Sequence, residues 1–245
     1  QQRFQTEYAA YMAGIRKQVG FVRNDSIAHA FTTAFDSTKT TRDSGWADVL
    51  TPSLRNAAIF RFTAGPVSVD SVLGVIKSES SFNPHAVSGA PAYGLMQLVP
   101  TSGGREAYRR AKNQDIAPSK DYLFDPENNI ELGAAYLSVL TYDQLDGVED
   151  RTSRDYCVIS AYNTGPSNVM RAFTDAKGKQ RFADGMQRIN SLNPSQVFQT
   201  LREKLPYEET RHYLPTVNTN RKRYYSLDKT VVENDKKQTT TTSTE

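Results

Sequence analysis

The sequence predicts a mainly α-helical protein. Three observations carry that expectation. Apolar residues recur at three- and four-residue spacing, as Val69, Val72, Leu73 and Ile76 do. The alternating pattern of a half-buried strand is weak throughout. Helix starts and stops punctuate the chain, with Ser68 before that stripe and Gly165-Pro166 after another. With 245 residues, 38% hydrophobic and 23% charged, the chain can bury one good-sized core, or one domain plus an appendage.

In chain order, Phe4, Tyr8, Met12, Ile15 and Val19 approximate a helical stripe. This segment either packs on the main body or belongs to a preceding domain. Residues 36–53, rich in Ser, Thr and Asp, read as loop, and Trp46 within them as a packing anchor rather than a sugar-stacking ring. Residues 1–65 are therefore expected to form an N-terminal helical and loop segment. Ser68 is a good N-cap for the next helix, which Asn83-Pro84 should stop. Residues 83–94 read as a polar loop, and 85–96 could form a small β-hairpin. A helix is expected from near Gln97 or Pro100, weakened by Gly103-Gly104. Asn128 or Asn129 can cap the following helix, whose face carries Ile130, Leu137 and Leu140. Gly133 and Ala134 there suggest close packing. Ser153 can cap a helix running through Tyr162, which lies on the apolar face of Val158 and Ile159. A last helix is expected over roughly 195–204. Residues 233–245 have almost no apolar side chains, and the tail over 229–245 should be disordered or a linker remnant.

The chemistry centres on Glu79. It lies three residues beyond Ile76 and four beyond Val75, so it continues an apolar stripe with an acid. A carboxyl aimed into apolar surroundings resists ionising, and a carboxyl protonated near neutral pH suits a general acid for glycosidic cleavage. Taken alone, Glu79 reads equally well as a structural acid paired with an arginine.

Three further segments follow in order: Gly94-Leu95-Met96-Gln97, Ala161-Tyr162-Asn163-Thr164-Gly165, and Tyr207-Glu208-Glu209-Thr210-Arg211-His212-Tyr213-Leu214. With Glu79-Ser80-Ser81-Phe82-Asn83-Pro84, this set resembles the lytic transglycosylases that have a soluble-transglycosylase type of catalytic domain. The wording of residues 80–88 and 124–130 is most similar to the membrane-bound lytic murein transglycosylase C group. The resemblance covers about residues 66–225 and places a catalytic domain at 66–228. It implies a lysozyme-like helical domain of the goose-type lysozyme superfamily, and cleavage of peptidoglycan between N-acetylmuramic acid (MurNAc) and N-acetylglucosamine (GlcNAc). It also implies roles for single residues. Glu79 matches the acid/base, and Tyr162 matches the tyrosine whose hydroxyl approaches it. Ser88 matches a serine hydrogen-bonded near the acid. Met96 and Gln97 match the floor and polar edge of the sugar cleft, while Asn163 and Tyr213 match residues that shape it. Ser80 and Asn83, and Gly94 in its turn, are expected to hold the surroundings rather than touch substrate. Thr164, Tyr93 and Ser102-Gly103-Gly104 depart from the common family wording.

No motif segment places a second carboxylate opposite the first, as two-carboxylate glycosidases require. Asp125 reads as a helix-entry residue, and Glu208 and Glu209 as partners for Arg211. The single Cys157 forbids an internal disulfide and reads as a small core residue. His29, His85 and His212 lack metal-ligand spacing, so neither metal nor cofactor is expected. The net charge of +3 is mixed rather than blocked, and Arg221-Lys222-Arg223 reads as a solvated helix end, not a nucleic-acid stripe. A weak positive field suits the carboxylate-bearing peptidoglycan strand as partner. No stretch is long and apolar enough to span a bilayer. The chain opens on Gln1 rather than Met. A trimmed form is expected, with a possible lipid anchor lost from the N-terminus and a location in the periplasm, attached to the outer membrane. A hydrolase of the lysozyme or chitinase kind and a non-catalytic peptidoglycan-binding scaffold are the alternatives.

Overall fold

A computed structural model of the chain describes residues 67–178 and 180–224. The expectations for residues 1–65, Trp46 and the 229–245 tail lie outside them. The described elements are helical: α1 (Val69–Ser80), α2 (Gly103–Lys112), α3 (Lys120–Phe124), α4 (Pro126–Val139), α5 (Arg151–Thr164), α6 (Pro166–Arg171), α7 (Gln180–Asn190), α8 (Pro194–Lys204) and α9 (Glu208–Arg221). A π-helical turn, Leu140–Gln144, extends α4, and a 3₁₀ turn, Lys222–Tyr224, extends α9.

Helix α1 is the central element. Val69, Val72, Leu73, Val75 and Ile76 are all buried, as the stripe requires. It packs against α9, while α4 packs on α2 and α5 on α6, α8 and α9. Ser68 takes the N-cap position with extended backbone, but its hydroxyl bonds Ser71 Oγ (2.7 Å) and not a backbone N–H. The helix stops before Asn83-Pro84. Ser81 and Phe82 both adopt left-handed backbone (φ 49° and 66°), uncommon for residues with a Cβ. The burial of Phe82, edge-to-face with Tyr224 at 6.4 Å, holds that turn in place.

Asp125 stands at a helix entry as expected, but the caps are not Asn128, Asn129 or Ser153. Asp125 caps α4 by accepting the Asn128 N–H (2.9 Å), with Pro126 in the first turn. Asp150, not Ser153, caps α5 (2.7 Å to the Ser153 N–H). In both cases a carboxylate three residues upstream outcompetes the amide or hydroxyl. Gly165 ends α5 with φ 82°, and Asn193 with Gln196 forms a capping box on α8. The 85–96 segment forms isolated bridges, Val87 to Tyr93 and Tyr93 to Leu98, instead of a hairpin. Helices α3, α6, α7 and α9 were not foreseen as separate elements. Gly133 on α4 lies against Met96, where any Cβ would run into the thioether, so the expected close packing is realised.

In the basic run at the end of α9, Lys222 and Arg223 are exposed as expected, but Arg221 is not solvated. Arg221 donates from Nε to Asp70 Oδ2 (2.8 Å) and from Nη1 to Asp155, and only 11% of its side chain is exposed. One guanidinium thus ties α9 to α1 and α5. The paired carboxylates outweigh the desolvation that would favour the neutral form, and they hold the charge on Arg221.

Candidate active site

Glu79 sits in the last turn of α1, just beyond the buried stripe that ends at Ile76. Tyr213, from the middle of α9, donates its hydroxyl to Glu79 Oε1 at 2.6 Å. Burial raises the Glu79 carboxyl from its ordinary 4.5 to about 7. The Tyr213 hydrogen bond pulls it down, and the Glu209 charge adds to the rise. Glu209 lies one helical turn before Tyr213 and is exposed. Among the described residues, no cation forms an ion pair with Glu79, so the arginine-paired reading of this acid finds no support. Tyr213 is held neutral, its hydroxyl pushed well above the ordinary value by burial and by the Glu79 charge.

The other expected residues divide by what their side chains touch. Tyr162 donates its hydroxyl to the Met96 carbonyl (2.8 Å) and not to Glu79, although the Glu79 charge still reaches it. The hydroxyl contact expected of Tyr162 is made by Tyr213. Met96 has no exposed surface, so its side chain is buried. Gln97 uses both amide hydrogens on Ala86 O (3.0 Å) and Gly94 O (2.8 Å), and its backbone is left-handed at φ 48°. It braces the loop and leaves only its carbonyl oxygen for a ligand. Ser88 bonds the Ala90 carbonyl in an exposed turn, away from the acid. Asn163 accepts from the buried Thr210 hydroxyl (2.7 Å), which fixes the amide across α5 and α9. Ser80 returns its hydroxyl to Ile76 O (3.1 Å), and Asn83 Oδ1 accepts the His85 N–H (3.0 Å), so both hold the helix end.

Sequence reading missed Asn129 as a site residue. It is fully buried and organises the loop that carries Gly94-Leu95-Met96-Gln97. Its Oδ1 accepts the Met96 N–H (2.8 Å). Its Nδ2 donates to Tyr93 O (3.0 Å) and Leu123 O (2.7 Å). Gly94, at φ 79°, passes so close that a Cβ would overlap the Asn129 amide and the Leu123 carbonyl. The available signal was the position of Asn129 in line with Gly133 and Leu140 on a buried helix face, where an amide needs internal partners. Arg211 also departs from expectation, donating to the Leu205 carbonyl (2.7 Å) and not to Glu208 or Glu209.

The arrangement presents one carboxyl, protonated up to near neutral pH and oriented by a neutral phenol. It can give a proton to a leaving oxygen and take one back.

The structure superposes on the lytic transglycosylase Slt of Pseudomonas aeruginosa, solved as an inactive mutant, with a TM-score of 0.53 and 25% identity. The match covers 82% of this chain and 30% of that one. The membrane-bound lytic murein transglycosylase C of Yersinia enterocolitica is 45% identical over 153 residues, 62% of this chain and 41% of that protein. Its Yersinia pestis counterpart is 46% identical over the same length. The chain thus spans about two fifths of the length of these curated relatives. A family model, the transglycosylase SLT domain, matches residues 60–184, about half of the sequence and all of α1 to α6. The chain belongs to the transglycosylase SLT domain family.

Proposed function

We propose that this chain is a peptidoglycan lytic transglycosylase, cleaving the β-1,4 bond between MurNAc and GlcNAc without consuming water. The observation that carries the reading is Glu79 itself, a desolvated carboxyl with a pKa of about 7 that a neutral tyrosine orients at the cleft. In the first step Glu79 gives its proton to the GlcNAc O4 as the C1–O4 bond breaks. The MurNAc N-acetyl oxygen closes onto C1 and holds the positive charge. In the second step the Glu79 carboxylate takes the proton of the MurNAc 6-hydroxyl. O6 then bonds C1, the N-acetyl oxygen departs, and a 1,6-anhydro end results. One carboxyl is enough because the substrate supplies the nucleophile.

The names of the relatives support the substrate, murein, and suggest attachment to a membrane. The Slt relative is described as an inactive glutamate-to-glutamine mutant, which fits a chemistry resting on one glutamate. The cell envelope, in the periplasm or at the outer membrane, is the proposed location. No described helix is long and apolar enough to cross a membrane. The proposed working unit is residues 66–228, with 1–65 as an appended segment and 229–245 as a tail.

Glu209 favours a second reading, because its exposed carboxylate acts on Glu79 and could activate water. Mass spectrometry of products from purified peptidoglycan separates the two, with Glu79→Gln run beside the unsubstituted chain. Muropeptides one water lighter than hydrolysis products, absent with the variant, support transglycosylation. Hydrated reducing ends refute it in favour of a hydrolase using Glu209. No products with either protein would leave a binding scaffold.

A further inference from the structure

A cluster of rings and one cation stands on the cleft loop, outside the machinery described above. Tyr93, immediately before Gly94, meets Phe124 edge-to-face with ring centres 5.8 Å apart. His85 meets Phe124 edge-to-face at 5.3 Å. The Lys120 ammonium lies over both rings, 5.7 Å from the Tyr93 centre and 5.3 Å from that of Phe124. The segment is rigidly held. Tyr93 exchanges backbone hydrogen bonds with Leu98 (3.1 Å each way), and the Tyr93 carbonyl also accepts from Asn129. The same Asn129 side chain holds Met96, whose carbonyl receives the Tyr162 hydroxyl. Tyr93 and Tyr162 pack on one core cluster of Leu98, Leu123 and Leu132, so the rings belong to the wall that carries the cleft loop.

Lys120 is exposed and has no carboxylate within ion-pairing distance among the described residues. Its sequence neighbour Asp121 is exposed, and Asp125 Oδ1 accepts the Asn128 N–H. Aromatic faces attract an ammonium without consuming its N–H donors. A lysine held this way keeps three donors in a fixed place, at less entropic cost than a free surface lysine would bear on binding.

We infer that Lys120, held over Tyr93 and Phe124, forms a carboxylate-binding subsite beside the cleft that takes the peptide stem of the glycan substrate. The inference rests on the peptidoglycan reading above and names a part of the substrate the reacting carboxyl does not touch. Charge complementarity selects the stem, because the sugar rings carry no charge and the stem peptides carry free carboxylates.

The test uses the full chain with Glu79→Gln to prevent turnover, with and without Lys120→Gln. Two probes are compared, soluble peptidoglycan strands with intact stems and the same strands with their stem carboxylates converted to carboxamides. Lys120→Gln should weaken binding of intact strands about twofold to fivefold at low salt. The loss should shrink at high salt, and binding of the amidated strands should not change. An equal loss on both probes, no loss on intact strands, or no binding of intact strands at all would overturn the subsite. Anhydro products from the unsubstituted chain decide the underlying reading separately. If they form while binding ignores Lys120, only the subsite falls, and if none form the peptidoglycan chemistry falls with it.

Discussion

Replacing Glu79 with glutamine should stabilise the fold, and only above a defined pH. Burial raises this carboxyl from 4.5 to about 7. Below pH 4.5 the folded and unfolded chains both carry the proton, and the residue costs nothing. Between pH 4.5 and 7 the unfolded chain releases its proton while the folded chain retains it, so stability falls as pH rises. Above pH 7 both are ionised and the full cost of the buried charge is present, about 3 kcal/mol at 1.36 kcal/mol per pH unit of separation. Glutamine has no charge to bury, and its Oε1 can still accept the Tyr213 hydroxyl. Urea unfolding of both proteins at pH 4, 6 and 8 reads the difference directly. The two should agree within about 0.5 kcal/mol at pH 4, and the variant should be more stable by about 1–3 kcal/mol at pH 8. A difference that ignores pH, or a less stable variant at pH 8, would show that Glu79 is not buried with a raised pKa.

Two other substitutions probe the support of the site. Tyr213→Phe removes the hydrogen bond that lowers the Glu79 pKa, so the alkaline limb of the kcat/KM profile should move to higher pH while kcat falls about tenfold. An unmoved limb would detach Tyr213 from the acid. Asn129→Ala strands the Met96 N–H and the Tyr93 and Leu123 carbonyls without their partner, and should cost about 3–5 kcal/mol in urea unfolding. A loss under about 1 kcal/mol would mean that water replaces the amide.

Much of the helical framework was legible because its signals are local. The α1 stripe needs only the spacing of five residues, and the Gly165-Pro166 stop needs only two. Caps were harder, since Asp125 and Asn128 both suit a helix entry, and the choice turned on the carboxylate followed by a proline at the first helical position. The 85–96 segment has turn residues enough for a hairpin, but its backbone groups are satisfied by Asn129 and Gln97, so pairing stops at isolated bridges. The Arg221 ion triad was illegible, because its carboxylates stand 151 and 66 residues away in sequence.

The same distinction explains why the acid was found and its hydroxyl partner was not. Glu79 announces itself within its own helix, as an acid where a buried face predicts an apolar residue. Its partner could be any tyrosine that the tertiary fold brings within reach, and Tyr162 sits on an apolar face just as Tyr213 does. What decides between them is the neighbouring backbone. The Met96 carbonyl, turned toward α5 by the left-handed Gly94 and Gln97 and by the Asn129 bond to the Met96 N–H, accepts the Tyr162 hydroxyl instead. Tyr213 has no such competitor, and Arg221, two turns further along α9, anchors that helix against α1. The orientation of the Glu79 carboxyl is therefore set by α9, which lies beyond the 60–184 match to the family model. A chain truncated after α6 would keep Glu79 and lose the hydroxyl that positions it.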